Sequence, residues 1–169
     1  GLGPVLGADC SANTVVRYYY RSTESVPLAS AQILASAFGG APADTFGPGF
    51  KPYDPANPPT DVAQTTTSDG RQARYIVRRE VGTINRAVYE IQFLHEPGQP
   101  LPTPWTQPTP GWNGRLVYNF GGGCNAGYRQ GRLPGPVGTA QKLLLARGYA
   151  VATSTLNAFG TDCNDRISA

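Results

Sequence analysis

The stretch RLVYNFGGGCNAGYRQG, residues 115–131, runs a β-prone segment straight into three consecutive glycines and a cysteine. Glycine loses more backbone freedom on folding than any other residue, so a triple glycine weakens whatever element holds it. Such a run is useful where the backbone must bend unusually, or where another group must approach it closely. Downstream, TAQKLLLARGYAVATSTLN, residues 139–157, has a different pattern. Thr139 offers a helix cap, a helix runs from it to about Arg147, and Gly148 supplies a left-handed C-terminal residue. The segment YAVATSTL is then an apolar, β-branched strand. Strand, glycine loop, helix, glycine and strand predict a parallel, right-handed β-α-β unit.

Three chemistries compete for Gly121, Gly122 and Gly123. A phosphate cradle needs G-x-G-x-x-G opening directly into a helix, or Gly-Lys followed by Ser or Thr. Neither pattern is present, and the expected helix starts well beyond the glycines. A tight turn rarely needs three glycines in succession. The preferred reading is an oxyanion hole built from the peptide N–H groups of Gly121, Gly122, Gly123 and Cys124. Side chains there would obstruct a substrate carbonyl, and the amides must reach about 2.7–3.1 Å from the developing oxyanion. Tyr128, Arg129 and Gln130 follow the loop and could contact a substrate carboxylate or aromatic ring, or Arg129 could serve as a structural clamp.

Upstream, VVRYYYR at residues 15–21 reads as a short strand, and PLASAQILASAFG at residues 27–39 as a helix between Pro27 and Gly39. Residues 41–60 hold six prolines and read as loop. Residues 74–80 and 86–95 read as an antiparallel pair at a sheet edge. In the second, Val88, Glu90, Gln92 and Leu94 point one way and Ala87, Tyr89, Ile91 and Phe93 the other. A proline-rich connector, residues 97–110, leads to the strand before the glycines. Trp105 and Trp112 flank it, with packing as the expected role of both.

At 169 residues the chain suits one domain or part of a larger one. Its 21 glycines and 16 prolines predict extensive irregular structure. A charged fraction of 15% is low against the usual ~25%. The net charge is +3, and the 14 Lys and Arg are scattered, so there is no nucleic-acid footprint. No apolar run reaches the roughly 18 residues of a membrane-spanning helix. The chain starts with Gly and contains no Met, which predicts processing or trimming, with signal-peptide removal one cause. Three cysteines with only two lysines, Lys51 and Lys142, point to a secreted or periplasmic setting. One histidine and no C-x-x-C give no zinc ligand set, and no cofactor is expected. That histidine, His95, ends an early strand, so an ordinary surface or strand-end role is expected rather than that of a triad base.

WNGRLVYNFGGGCNAGYRQG, ARGYAVATSTLN and FGTDCND, with YIVRREVGTINRAVYEI and ADCSANTVVRYYYRST, resemble a family of exported bacterial α/β-hydrolase-like proteins of largely unassigned function. A weaker similarity links them to secreted tannase and feruloyl esterase enzymes and to polyhydroxybutyrate oligomer hydrolases. The resemblance implies an α/β-hydrolase fold with a serine nucleophile, yet no G-x-S-x-G elbow occurs in the sequence. It therefore implies the N-terminal portion of that fold, an antiparallel strand pair followed by a parallel β-α-β unit, completed by another chain or a missing segment. Residues 1–70 would be an extension with one helix and a proline-rich loop, and residues 71–169 the first half of the core sheet. A second polypeptide from the same precursor would carry the Ser/His/acid triad.

In that fold Cys124 and Cys163 leave the same sheet edge, which implies a disulfide between them and leaves Cys10 to bond the partner. Asp162, Asn164 and Asp165 would lie near the site, with helix capping the simpler role for Asp165. The expected function is the N-terminal chain of a secreted serine hydrolase that cleaves an ester or amide. Two alternatives stand beside it: the alpha chain of a self-processed N-terminal-nucleophile amidohydrolase, and a non-catalytic carbohydrate- or protein-binding module.

Overall fold

Strands rich in aromatic and β-branched residues build most of the structure, a computed structural model that describes residues 14–23, 46–47, 49–84, 87–103, 105, 109–120 and 138–155. In chain order the elements are β1 (Val15–Arg21), β2 (Phe50–Pro52), β3 (Gln64–Thr66), β4 (Gln72–Arg74), β5 (Ile76–Ile84), β6 (Ala87–Leu94), β7 (Leu116–Tyr118), α1 (Thr139–Ala146) and β8 (Ala150–Ser154). Six strands form one mixed sheet in the order β2-β1-β5-β6-β8-β7, while β3 and β4 pair separately. Every neighbour in the large sheet is antiparallel except β7 and β8, which pair in parallel from Leu116 opposite Ala150 to Tyr118 opposite Ala152.

This architecture overturns the expected N-terminal portion of an α/β-hydrolase fold. Among the described residues there is a single eight-residue helix against eight strands, so the molecule is mostly β. The β7-α1-β8 unit is present as read, but it supplies only one end of the sheet. Strands joined by direct pairing need no crossover helix, and the aromatic and β-branched run of β1 pairs directly with β5, from Val15 opposite Val81 to Tyr20 opposite Ile76. The β5–β6 pair, read as a sheet edge, lies in the middle, flanked by β1 and β8. Residues expected to form the turn after residue 80 instead extend β5 to Ile84. Within the expected loop, Phe50–Pro52 forms an outer strand. The helix read at residues 27–39 lies outside the described residues.

The central position of β5 explains its composition. Ile76 and Val77 are adjacent, point to opposite faces and are both fully buried. Val77 joins Tyr19, Leu94, Leu145 and Val151 in a core between α1 and one sheet face. Ile76 meets Tyr20 and Tyr53 on the other. Tyr19 stacks on Phe46 with ring centroids 4.7 Å apart, and Phe46 in turn meets Phe50 edge-on at 4.9 Å. The Tyr75 hydroxyl donates to the Lys142 carbonyl at 2.8 Å and fixes the helix above this core.

Helix α1 begins after Gly138 rather than with Thr139 as its cap; the Gly138 N–H donates to Gln141 Oε1 at 2.6 Å. It ends as expected, with Gly148 at φ +85° donating to the Leu145 carbonyl at 2.9 Å. A Cβ on Gly148 would stand 2.8 Å from Thr67 Cγ2. Leu145→Ala is expected to cost about 2–5 kcal/mol through the cavity it leaves. Gly148→Ala is expected to cost about 1–2 kcal/mol or more from the left-handed backbone. Urea unfolding midpoints measure both.

Candidate functional site

Because β7 and β8 are parallel, their C-terminal ends share one sheet edge. The ladder holds β7 as far as Asn119, whose N–H donates to the Ala152 carbonyl at 2.8 Å and whose carbonyl accepts from Thr153 Oγ1 at 3.2 Å. Thr155 closes β8 at the same edge, donating from its N–H to the Val88 carbonyl and accepting from the Val88 N–H at its hydroxyl. Phe120 follows Asn119 and is 62% exposed, its ring 4.6 Å from that of Tyr118. The next residue in sequence is Gly121. Gly121, Gly122, Gly123 and Cys124 lie outside the described residues, as do Tyr128, Arg129 and Gln130, the expected disulfide partners Cys10 and Cys163, and Asp162, Asn164 and Asp165.

Beside this edge, on the helix-covered face, Glu90 stands opposite Thr153. Its carboxylate accepts from Arg79 Nε at 2.6 Å and from Gln92 Nε2 at 2.5 Å, and both Glu90 and Gln92 are about 5% exposed. A buried carboxylate is tolerated when a cation and hydrogen bonds compensate it, and this pair joins β5 to β6 diagonally. Its role is to order the sheet.

A second cluster lies at the opposite end of the strand order. Ser22 Oγ, Tyr20 Oη and Lys51 Nζ all donate to the Asp61 carboxylate, the last two at 3.0 and 3.1 Å, and Lys51 Nζ is 3.3 Å from Ser22 Oγ. Serine beside lysine suggests a nucleophile and its base. Here, however, the serine proton is directed to a carboxylate whose pKa these hydrogen bonds, led by Ser22, hold down to about 2. Such a weak base does not activate a hydroxyl, and the cluster instead clasps β1, β2 and residue 61 together.

A cavity of about 570 Å³ lies between the β3–β4 pair and the chain that runs from His95 into the connector. Arg71 closes the connector onto the pair through hydrogen bonds to the Thr109 carbonyl at 2.6 Å and the Trp112 carbonyl at 3.1 Å. Gly111 sits so close to β6 that a Cβ there would lie 2.7 Å from Leu94 O. His95 is 5% exposed, so of the two roles expected for it, surface or strand end, the structure shows the second. It follows the C-terminal end of β6, and β6 is antiparallel to β8, so it stands at the sheet edge opposite Thr155. Burial, together with the Arg78 charge, pushes its imidazole below the ordinary histidine pKa. Trp112 is half-buried and donates from Nε1 to the Arg115 carbonyl at 3.1 Å. Trp105, expected to pack, is 91% exposed. The connector had read as a mere link, yet Gln99, Pro100, Leu101, Pro102, Thr109 and Pro110 line the cavity.

Among the described residues no group of three or more His, Cys, Asp or Glu side chains is placed to hold a metal ion. Among the same residues no helix is long and apolar enough to cross a membrane. The chain belongs to a tannase-like family of unknown function (DUF6351), whose profile matches residues 1–169. Of the similarities read in the sequence, this match supports the tannase-like one. No curated protein and no solved structure matches the chain.

The Asp61 clasp sets an acid limit. Its folded pKa of about 2 lies below the ordinary 3.8, so its stabilisation is full above pH 4 and is lost as pH falls towards 2. Asp69, held at about 2 by Arg71 and Thr67, titrates in the same window. Asp61→Asn is expected to lower the urea midpoint at pH 5 and to flatten its decline between pH 4 and 2. An unchanged slope across that window would remove the clasp from acid unfolding.

Proposed function

We propose that this chain contributes the carbonyl-binding loop of a secreted or periplasmic serine esterase. In this reading the N–H groups of Gly121, Gly122, Gly123 and Cys124 hold the carbonyl oxygen of an ester. The attacking serine, its histidine base and the acidic residue that orients the base come from a second polypeptide, tethered through Cys10. The serine hydroxyl gives its proton to the histidine as its oxygen bonds to the ester carbon. The carbonyl electron pair moves onto the oxygen facing the amides, then returns as the alcohol leaves with the proton from histidine.

One observation carries the reading: β7 is hydrogen-bonded up to Asn119, at the edge where β8 also ends, and the sequence enters three glycines two residues later. A rigid strand ending just before a side-chain-free backbone is what a preorganised set of amide donors requires, since donors that must reorganise during the reaction lose their advantage. Membership of a tannase-like family favours an ester over an amide. His95 is not the base in this reading, because it stands at the opposite edge of the sheet. Tyr128, Arg129 and Gln130 would contact the acyl or alcohol part of the substrate.

Gly122→Val in the assembled protein tests the reading. We expect kcat on p-nitrophenyl esters to fall by about 10²–10³-fold, the scale for losing one oxyanion donor, with the unfolding midpoint little changed. A fluorophosphonate probe should still label the serine of the second polypeptide, and non-reducing intact mass should show the two polypeptides joined. An unaltered turnover would remove the loop from catalysis.

A further inference from the structure

We infer that the open edge of β4 accepts an extended, uncharged segment of another polypeptide, which adds to it as a further strand. The phase of the main chain carries this. Along an antiparallel ladder, successive residues turn their N–H and C=O alternately toward the partner strand and away from it. The Tyr75 N–H donates to the Ala63 carbonyl at 2.7 Å, and the Thr67 N–H to the Arg71 carbonyl at 2.9 Å. These two rungs fix the phase of the β3–β4 pair. Ala73, opposite Thr65, faces β3, while Gln72 and Arg74 turn their N–H and C=O to the far side. Among the described residues no strand pairs with β4 on that side.

The far side of β4 is the place that β6 vacates. Arg74 and Ile76 are two residues apart and turn the same way, and the Ile76 carbonyl still accepts from the His95 N–H at 3.0 Å. Beyond this rung the chain leaves the line of β6 for the connector, and Gln72, Arg74, His95 and Glu96 border the cavity that remains. A stretch of about four residues, at about 3.3 Å each, runs the length of β4. Donors and acceptors that alternate along one strand are matched in both directions by another extended main chain, which is the basis of peptide recognition by strand addition. Pro100, Leu101 and Pro102 give its side chains an apolar wall. Arg74 and Glu96 pair with each other at 2.5 Å, so the lining offers no net charge to a charged segment. The connector, tied by Arg71 to the β3–β4 turn, stands across this edge. A single extended segment can therefore reach β4 where the sheet of a second folded copy cannot. The site lies apart from the proposed carbonyl-binding loop and does not rest on it.

Backbone amide exchange on the full chain tests the inference, with the capped pentapeptide acetyl-Thr-Val-Thr-Val-Thr-amide titrated to about 1 mM, the range of a weak site. We expect saturable binding that slows exchange of the Gln72 and Arg74 N–H about tenfold, while Ala73, which already faces Thr65, changes little. The same peptide with every amide N-methylated keeps its side chains but loses its donors, and should not bind. Gln72→Pro removes an outward N–H without removing a rung to β3. It should weaken binding about tenfold, the scale of one hydrogen bond, with the circular dichroism spectrum unchanged. Leu101→Asp, at a half-exposed wall position, should also weaken binding. The inference is overturned if the pentapeptide leaves Gln72 and Arg74 unprotected, if Ala73 is slowed as much as its two neighbours, or if the N-methylated peptide binds equally well.

Discussion

The antiparallel pairing of β5 with β6 carries the structure. Eight register pairs run from Val77 opposite Leu94 to Ile84 opposite Ala87, the longest ladder in the sheet, and each remaining strand is added outward from it. Ile76 and Val77 are buried on opposite faces, so β5 anchors two separate cores at once. On one face the Val77–Leu94 pair receives Leu145 of α1 and Val151 of β8. Position in the centre also explains why this strand tolerates Arg79: its guanidinium is neutralised across the ladder by Glu90, which a solvent-facing edge strand would not need.

What could be read in the sequence was local. The bounds of β1 match the VVRYYYR run, the alternation of Val88, Glu90, Gln92 and Leu94 gives the correct faces of β6, and Gly148 ends α1 in the left-handed conformation foreseen for it. What could not be read was which strands pair. A β-α-β pattern fixes only that two strands are parallel, and says nothing of how many antiparallel neighbours lie beyond them. The proline-rich residues before Tyr53 hid β2, because Phe50 and Lys51 find their partners in β1, about thirty residues upstream. The residues most suggestive of chemistry, from Gly121 to Gln130, are outside the described residues. The cavity was missed for a different reason: its lining comes from three separate stretches, and only folding brings Gln64, Gln72 and His95 together.

The two ends of the sheet thus differ in kind. Where β7 and β8 finish, the ladder is hydrogen-bonded to Asn119, and the sequence enters three glycines two residues on. Where β6 finishes, the chain turns into a connector pinned by Arg71 and by the close approach of Gly111 to Leu94.

The C-terminal end of α1 shows how the helix depends on distant chain. The Arg147 carbonyl accepts from the Ser68 N–H at 2.9 Å and from Asn113 Nδ2 at 3.2 Å, while the Asn113 N–H donates to the Gly148 carbonyl at 2.8 Å. Eight residues are too few for a stable helix in water, so α1 relies on these two remote loops as well as on Leu145 in the core and the Tyr75 hydroxyl. During synthesis both loops emerge before the helix does. The last turn of α1 therefore closes onto two stretches that are both made before it, and it ties them to one another.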